Sequence, residues 1–382
     1  MANVIPSELI PRIYAGAIDV LRESNEFIQS IKTDFSPDVK TKGDHITFNA
    51  STSQSVVDVT PSNTAPALVD STLQYKTVPM NYWKASRFSL NTQDISKIVT
   101  QNWTPPQMEE CIRSIGNFMN TTAFNVADAN TNMYAGTASA NIFATDLAYL
   151  GTAKTLLDNA PCPKANRFAV IGSAEYNKAL TLSNMYALNI GDNAAVRGGV
   201  LNNLFNFNTQ LDQGRINHVS GTGTLYVFNG AVTAGNTVIA VKTGTGTILP
   251  GDIVTLQSDT TQYVVQASTG LDPETSITVY PALSKNHADG DTVTVFSHGT
   301  NYGVGFAGDK GALGLAVRST ENELDGAGMI GESMLMTDPV SKMPMTVTWI
   351  PNFKAITVEV SVLFGAGMLD PRRLCKLITV HD

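Results

Sequence analysis

The chain has 382 residues, 43% of them apolar, enough for about two to three domains and a sizeable core. Only 15% are charged and the net charge is -8, which argues against a protein that grips nucleic acid through clustered Lys and Arg. So little charge fits a surface covered by partners, or one solvated by Thr, Asn and Ser.

Cys111, Cys162 and Cys375 lie far apart, without CxxC or metal spacing, and read as free thiols in a reducing compartment. The opening "MANVIPSELIPRIYAG" lacks a basic region followed by an apolar run, so no signal peptide is expected. No apolar stretch reaches membrane-spanning length.

"SELIPRIYAGAIDVLRESNEF" predicts a helix, with Ile13, Ala17, Ile18 and Leu21 on one face and Pro11 in its first turn. "HITFNA" alternates Ile46, Phe48 and Ala50 against Thr47 and Asn49. "LQYKTVPMNYWKASRFSL" alternates at Leu73 and Tyr75, then at Val78, Met80 and Tyr82. Together they predict a long two-stranded hairpin with a polar tip over 51–72. A two-stranded ribbon is hardly stable in water by itself. Either it lies on a neighbouring subunit or it packs on its own domain.

"PPQMEECIRSIGNFMNTTAFNVADANTNMYAG" carries a sustained helical stripe: Met108, Cys111, Ile112, Ile115, Phe118, Met119, Ala123, Val126, Ala129 and Met133. Pro105 and Pro106 mark its start and Gly136 lies past its end. At 1.5 Å per residue the helix is a rod of about 40 Å. Gly116 and several Asn and Thr lower its propensity, so packing must hold it. "TDLAYLGTAKTLLDNA" predicts a second helix, capped by Thr145 or Asp146. "RFAVIG" then predicts a buried strand, and "SAEYNKALTLS" a helix with Ser173 as N-cap.

A β-rich stretch runs from about Val219 to His298. Its candidate strands are "TLYVFN", "TVIAVK", "DIVTL", "QYVVQAS", "SITVYP" and "TVTVF". Asn229-Gly230, Ala234-Gly235-Asn236, Pro250-Gly251 and Asp289-Gly290 supply turns. Short strands at this spacing predict a small closed barrel. Two lysines against six carboxylates leave it at -4, half the charge of the chain, which suggests an outward, solvated position. Helix and strand patterns continue on both sides, so the barrel reads as an insertion. "MTVTWIPNF" and "AITVEVSVLF" follow as strands, and "LDPRRLCKLI" closes the chain with Asp370 as N-cap and Pro371 at N1.

Residues for chemistry are sparse. "GFAGDKGALG" spaces Gly305, Gly308, Gly311 and Gly314 by three but lacks the GxGxxG spacing and the GK[ST] ending of phosphate loops. His45, His218, His287, His298 and His381 show neither HxH nor HExxH spacing, so no metal is expected. No GxSxG occurs. Glu109 and Glu110 complement the dipole of the long helix. His218 and His298 flank the insertion and read as polar hinge residues. Arg372, Arg373 and Lys376 read as a small basic patch at the chain end. No catalytic or cofactor-binding residue is assigned, and the protein reads as a non-enzyme.

The order of these parts resembles the major capsid (coat) proteins of tailed bacteriophages, the Hong Kong 97-type fold. The segments that carry the resemblance are "IPRIYAGAIDVLRESNEF", "KTKGDHITF", "YKTVPMNYWKASRFSLNTQD", the rod helix, "NYGVGFAGDKGALGLAVRST" and "LFGAGMLDPRRLCKLI". The inserted barrel is similar to that of the short-tailed-phage branch. The resemblance implies an α+β fold: an N-terminal arm (1–43), an extended hairpin loop (44–90) and a peripheral domain with a spine helix (91–145). An axial domain follows in two parts (146–218 and 299–345) around the inserted all-β barrel domain (219–298), and C-terminal strands (346–382) return to the peripheral domain. "GFAGDKGALG" has no counterpart in the family pattern.

It further implies self-assembly through pentamers and hexamers into an icosahedral shell around double-stranded DNA, made in the host cytoplasm and ending in the virion. Scaffolding protein, portal protein and non-specifically held DNA would be partners, with no membrane and no cofactor. Tyr82, Trp83 and Phe88 would anchor the hairpin on a neighbour. Asp272 and Glu274 in "STGLDPET" would form ion pairs across subunits, unless that loop is merely a solvated turn. An encapsulin-like compartment shell and a phage tail or decoration protein are the alternatives.

Overall fold

A computed structural model of the chain describes residues 25–34, 43–50, 56, 74–91, 93–94, 106–160, 162–182, 201, 203–319, 332–337 and 343–381. Most of the helix expected over 7–27, and the hairpin tip apart from Val56, lie outside the described residues.

A short helix, α1 (Glu26–Ser30), leads into β1 (Lys32–Asp34), the ribbon strands β2 (His45–Ala50) and β3 (Gln74–Pro79), and β4 (Tyr82–Asn91). The rod is α2 (Pro106–Asn130). Then come β5 (Tyr134–Gly136), α3 (Ala148–Asn159), β6 (Arg167–Ile171), α4 (Ser173–Leu180), β7 (Asn208–Leu211) and β8 (Ile216–His218). The next six strands are β9 (Tyr226–Phe228), β10 (Val238–Lys242), β11 (Ile253–Leu256), β12 (Tyr263–Ser268), β13 (Ser276–Tyr280) and β14 (Thr292–Val295). The chain closes with β15 (Tyr302–Asp309), β16 (Leu313–Arg318), β17 (Glu332–Thr337), β18 (Pro344–Asn352), β19 (Ala355–Met368) and β20 (Leu374–Val380).

Two six-stranded sheets, a barrel and the two-stranded β2-β3 ribbon organise these strands. The first sheet runs β1-β16-β19-β18-β17, with β4 also on β19. The second runs β5-β20-β15-β6-β7, with β8 also on β15. Strands β9 to β14 close a barrel of six, each expected from the sequence. Fold class is therefore α+β with an all-β barrel, as expected.

Period-two alternation explains the layering. In the second sheet Phe168, Val170, Phe306, Leu374 and Ile378 face the core shared with α2. Ala169, Ile171, Ala307, Cys375 and Leu377 face the core under α3. The rod buries Met108, Cys111, Ile112, Ile115, Met119, Ala123, Phe124 and Ala127, close to the predicted stripe. Phe27 of α1 stacks on Phe306 at 5.4 Å and lies 4.4 Å from Phe124, so α1 is tied to both rod and sheet. The barrel keeps its own core, including Tyr226, Phe228, Ile239, Tyr263, Val265 and Val279.

Several local expectations are corrected. Among the described residues, the hairpin expected over 44–90 pairs from His45↔Pro79 to Ala50↔Gln74. Tyr82–Asn91 leaves it and pairs with β19, from Tyr82↔Phe364 to Asn91↔Ala355. The same alternation runs through both strands, so pattern alone cannot reveal the change of partner. Inner residues Ile46, Phe48, Val78 and Met80 pack on Ala316 and Leu363 of the chain's own body. The C-terminal strands divide: β18 and β19 lie in the first sheet and β20 in the second. Gly172 is the N-cap of α4, and Ser173 is its first helical residue. Asp370 does cap Pro371–Arg373, a single 3-10 turn, by accepting from the Arg372 N–H. A strand follows that turn, because "LCKLITV" is apolar enough to be buried on both faces.

Candidate functional site

The barrel is grafted into a hairpin of the body. β8 enters it and β15 leaves it, and the two strands pair antiparallel with Ile216↔Val304, Asn217↔Gly303 and His218↔Tyr302. The whole barrel therefore stands on two adjacent chain segments. What fixes it there is a buried polar cluster built from four elements.

His218, the last residue of β8, lies between two carboxylates. Its Nδ1 is 2.6 Å from Asp128 Oδ2 on α2, and its Nε2 is 2.9 Å from Asp252 Oδ1 on the barrel. Lys376 of β20 reaches the cluster from the other side: its Nζ is 2.7 Å from Asp128 Oδ1 and donates to the Gly251 carbonyl at 2.9 Å. Asp252 also accepts from the backbone N–H groups of Leu249 at 2.7 Å and Gly221 at 3.1 Å. All four side chains are buried. The Tyr302 ring stacks on His218 at 4.9 Å.

Local sequence explains the meeting. Alternation along β20 puts Leu374, Lys376 and Ile378 on the face toward α2. Gly251, in the Pro250-Gly251 turn, has φ +94°; a Cβ there would lie 2.9 Å from His218 Cε1 and 3.0 Å from Asp128 Oδ2. Only glycine gives both the left-handed backbone and the room.

Electrostatics follow from burial and pairing. Burial alone would raise the Asp128 pKa, but Lys376 and His218 outweigh it and hold the carboxyl below its ordinary value. Burial alone would lower the His218 pKa, but hydrogen bonds to Asp128 and Asp252 raise it above the ordinary histidine value. The foot of the barrel is held further by Gln262, whose Oε1 accepts from the Tyr134 N–H at 2.9 Å. Asn132 Nδ2 donates to the Gln262 carbonyl at 2.9 Å, and Gln266 Nε2 to Asn130 Oδ1 at 3.2 Å. Sequence reasoning treated His218 as a hinge residue, which is its place, but missed Asp128, Asp252 and Lys376 as partners. The predicted basic patch does not exist: Lys376 is buried, Arg372 pairs with Asp370, and Arg373 pairs with Asp309 and Asp370.

The predicted contact residues separate by environment. Tyr82 stacks on Phe364 at 5.2 Å and meets Phe118 edge-on at 5.9 Å, within its own chain. Phe88 is partly buried against the main core. Trp83 points the other way and is 57% exposed. Asp272 accepts from the Gly246 N–H at 2.8 Å at an exposed site. Glu274 is buried and accepts from the N–H groups of Thr269 at 2.7 Å and Gly270 at 3.1 Å, so it closes its own loop. Leu271, at the tip of that loop, is 54% exposed. Asp252, Asp259 and Glu274 are all internal, so much of the barrel's negative charge does not face outward.

The glycines of "GFAGDKGALG" serve packing. A Cβ on Gly305 would lie 2.6 Å from the Val170 carbonyl oxygen, and one on Gly308 2.4 Å from that of Arg373. Among the described residues no group of three or more His, Cys, Asp or Glu is arranged to hold a metal ion, and no helix is long and apolar enough to cross a membrane.

Neither a protein-family model nor a curated protein matches the chain. Solved structures do. A cyanophage P-SCSP1u capsid structure is 11% identical, with TM-score 0.48 over 95% of this chain and 90% of that one. A Mycobacterium phage Che8 structure is 11% identical, with TM-score 0.44 over 94% and 90%. A virus-like particle from Pyrococcus furiosus is 8% identical, with TM-score 0.41 over 97% and 98%.

Proposed function

We propose that this chain is a major capsid protein that assembles into the icosahedral shell of a tailed bacteriophage. The order of its parts carries the reading: a ribbon, a 25-residue rod on a sheet with a 14-residue strand, and a second sheet whose β8–β15 hairpin carries a barrel. That is the order of the Hong Kong 97-type coat fold with an insertion domain. Pentamers and hexamers form the shell, a scaffolding protein directs closure, and a portal protein occupies one vertex. The shell belongs to the virion and its role is structural. Double-stranded DNA is enclosed without being gripped, in keeping with a net charge of -8.

The ribbon's base is seated on its own body, and its distal part, with Tyr75 56% exposed, reaches across a neighbouring subunit. Trp83, exposed on β4 beside β19 and off the ribbon, supplies a separate aromatic anchor for contact with a neighbour. Sedimentation velocity of the chain, expressed alone and with the genes beside its own, tests the reading. Large closed particles, or irregular ones that become uniform with a scaffold, support it. A monomer under every condition removes it.

A further inference from the structure

Both ring nitrogens of His218 face a carboxylate oxygen, at 2.6 Å and 2.9 Å. A neutral imidazole has one N–H and one lone pair, so one of these contacts would set a lone pair against a carboxylate oxygen. Only the imidazolium donates to both. The two carboxylates come from different bodies: Asp128 from the rod and Asp252 from the barrel. Asp252 is held in place by the Leu249 and Gly221 N–H groups, and Asp128 by Lys376. Neither can swing away to relieve a lost proton.

We propose that His218 is a proton-controlled clasp between barrel and body. Protonated, it bridges Asp128 and Asp252; deprotonated, it lets go of one of them and the foot of the barrel loosens from the rod. Four charged or titratable groups face it: Asp128 from α2, Asp252 from the barrel, Lys376 from β20 and Tyr302 from β15. With the imidazolium, two positive charges meet two negative ones. Without the proton the cluster carries a buried net charge of minus one, which is costly in a dry site.

The raised pKa of His218 agrees with this charge state. A group whose folded pKa is raised contributes stability below its unfolded value, near 6.5, and the contribution is lost as pH climbs through the folded value. The clasp is therefore closed below that unfolded value and opens as pH climbs through the raised folded one. The opening is local, because the barrel keeps a hydrophobic core of its own. This inference concerns the folded subunit and stands apart from the shell reading.

Hydrogen exchange of the full chain, read by mass spectrometry from pH 6 to 9 and divided by the intrinsic rates, tests it. Segments 216–222 and 249–254 are expected to lose protection by about tenfold or more as pH rises, while 263–268 and 276–280 keep theirs. His218→Gln should show the loosened foot at every pH. Protection that is independent of pH in the wild type, or a joint loss in all four segments, overturns the proposal. Should His218→Gln not fold, the ring nitrogen shifts of His218 in the wild type decide. An imidazolium at pH 7 is required, and a neutral ring there refutes the clasp.

Discussion

His218 and Tyr302 are register partners across β8 and β15, and their rings stack 4.9 Å apart. One is the last strand residue before the barrel and the other the first after it. The barrel's foot is thus pinched by its own flanking strands. The charged cluster beside the pinch joins it to α2 and β20. A domain inserted this way keeps a defined direction relative to the body.

Lys376 is the cation whose loss should cost most. Lys376→Met leaves Asp128 buried with half its pairing, and removing one partner of a buried pair costs about 3–5 kcal/mol. Urea unfolding of the single variant should show a loss of this order. The double variant Lys376→Met with Asp128→Leu should recover much of it. A single variant within about 1 kcal/mol of wild type would remove Lys376 from its role.

Two glycines with nearly equal φ offer a controlled comparison. Gly251 has φ +94° and a crowded Cβ position, whereas Gly230 has φ +95° and open space. Gly230→Ala should cost about 1 kcal/mol, for backbone strain alone. Gly251→Ala should cost at least about 2 kcal/mol more, because His218 and Asp128 must move. Equal midpoints in urea would contradict the crowding.

Adjacent aromatics on β4 should separate folding from assembly. Tyr82→Ala opens a gap between Phe364 and Phe118 and should cost about 2–4 kcal/mol. Trp83→Ser should leave the melting temperature of the subunit nearly unchanged, as most exposed substitutions do. Under the shell reading it should still lower particle yield. A melting temperature lowered as far as by Tyr82→Ala would place Trp83 inside the subunit's own core.

Acid should act through Asp158. Hydrogen bonds from Lys154 and Arg167 hold its carboxyl at about 2. A lowered pKa contributes stability above the unfolded value, near 3.9, and the contribution disappears as pH falls toward 2. Asp158→Asn should flatten that part of the stability profile, measured by denaturant midpoints between pH 4 and 2. A profile parallel to wild type would deny the carboxylate this role.

Much of the fold was legible because it rests on local pattern. Four of the six barrel strands, β9, β10, β13 and β14, alternate strictly, and Gly230, Gly235, Gly251 and Gly290 mark turns with positive φ. The rod announces itself by a stripe that the structure buries. Partner choice was not legible: Val78, Met80 and Tyr82 continue one alternation although the first two belong to the ribbon's inner face and Tyr82 to the sheet beside β19. Lys376 was misjudged for a related reason. Beside Arg372 and Arg373 it looked like part of a charged patch, yet "LCKLITV" is otherwise almost apolar. A lone lysine in such a run signals a buried partner. Glu274 carried no comparable sign, since an acid that caps its own loop reads like one that faces water.

Cryo-electron microscopy of particles formed by the chain with a co-expressed scaffold tests the central claim most directly. Pentamers and hexamers of this subunit in a closed icosahedral shell are expected, with the distal part of the β2–β3 ribbon over an adjacent subunit and Trp83 of β4 buried under a neighbour. Monomers, open filaments, or a shell in which the ribbon touches only its own body would contradict it.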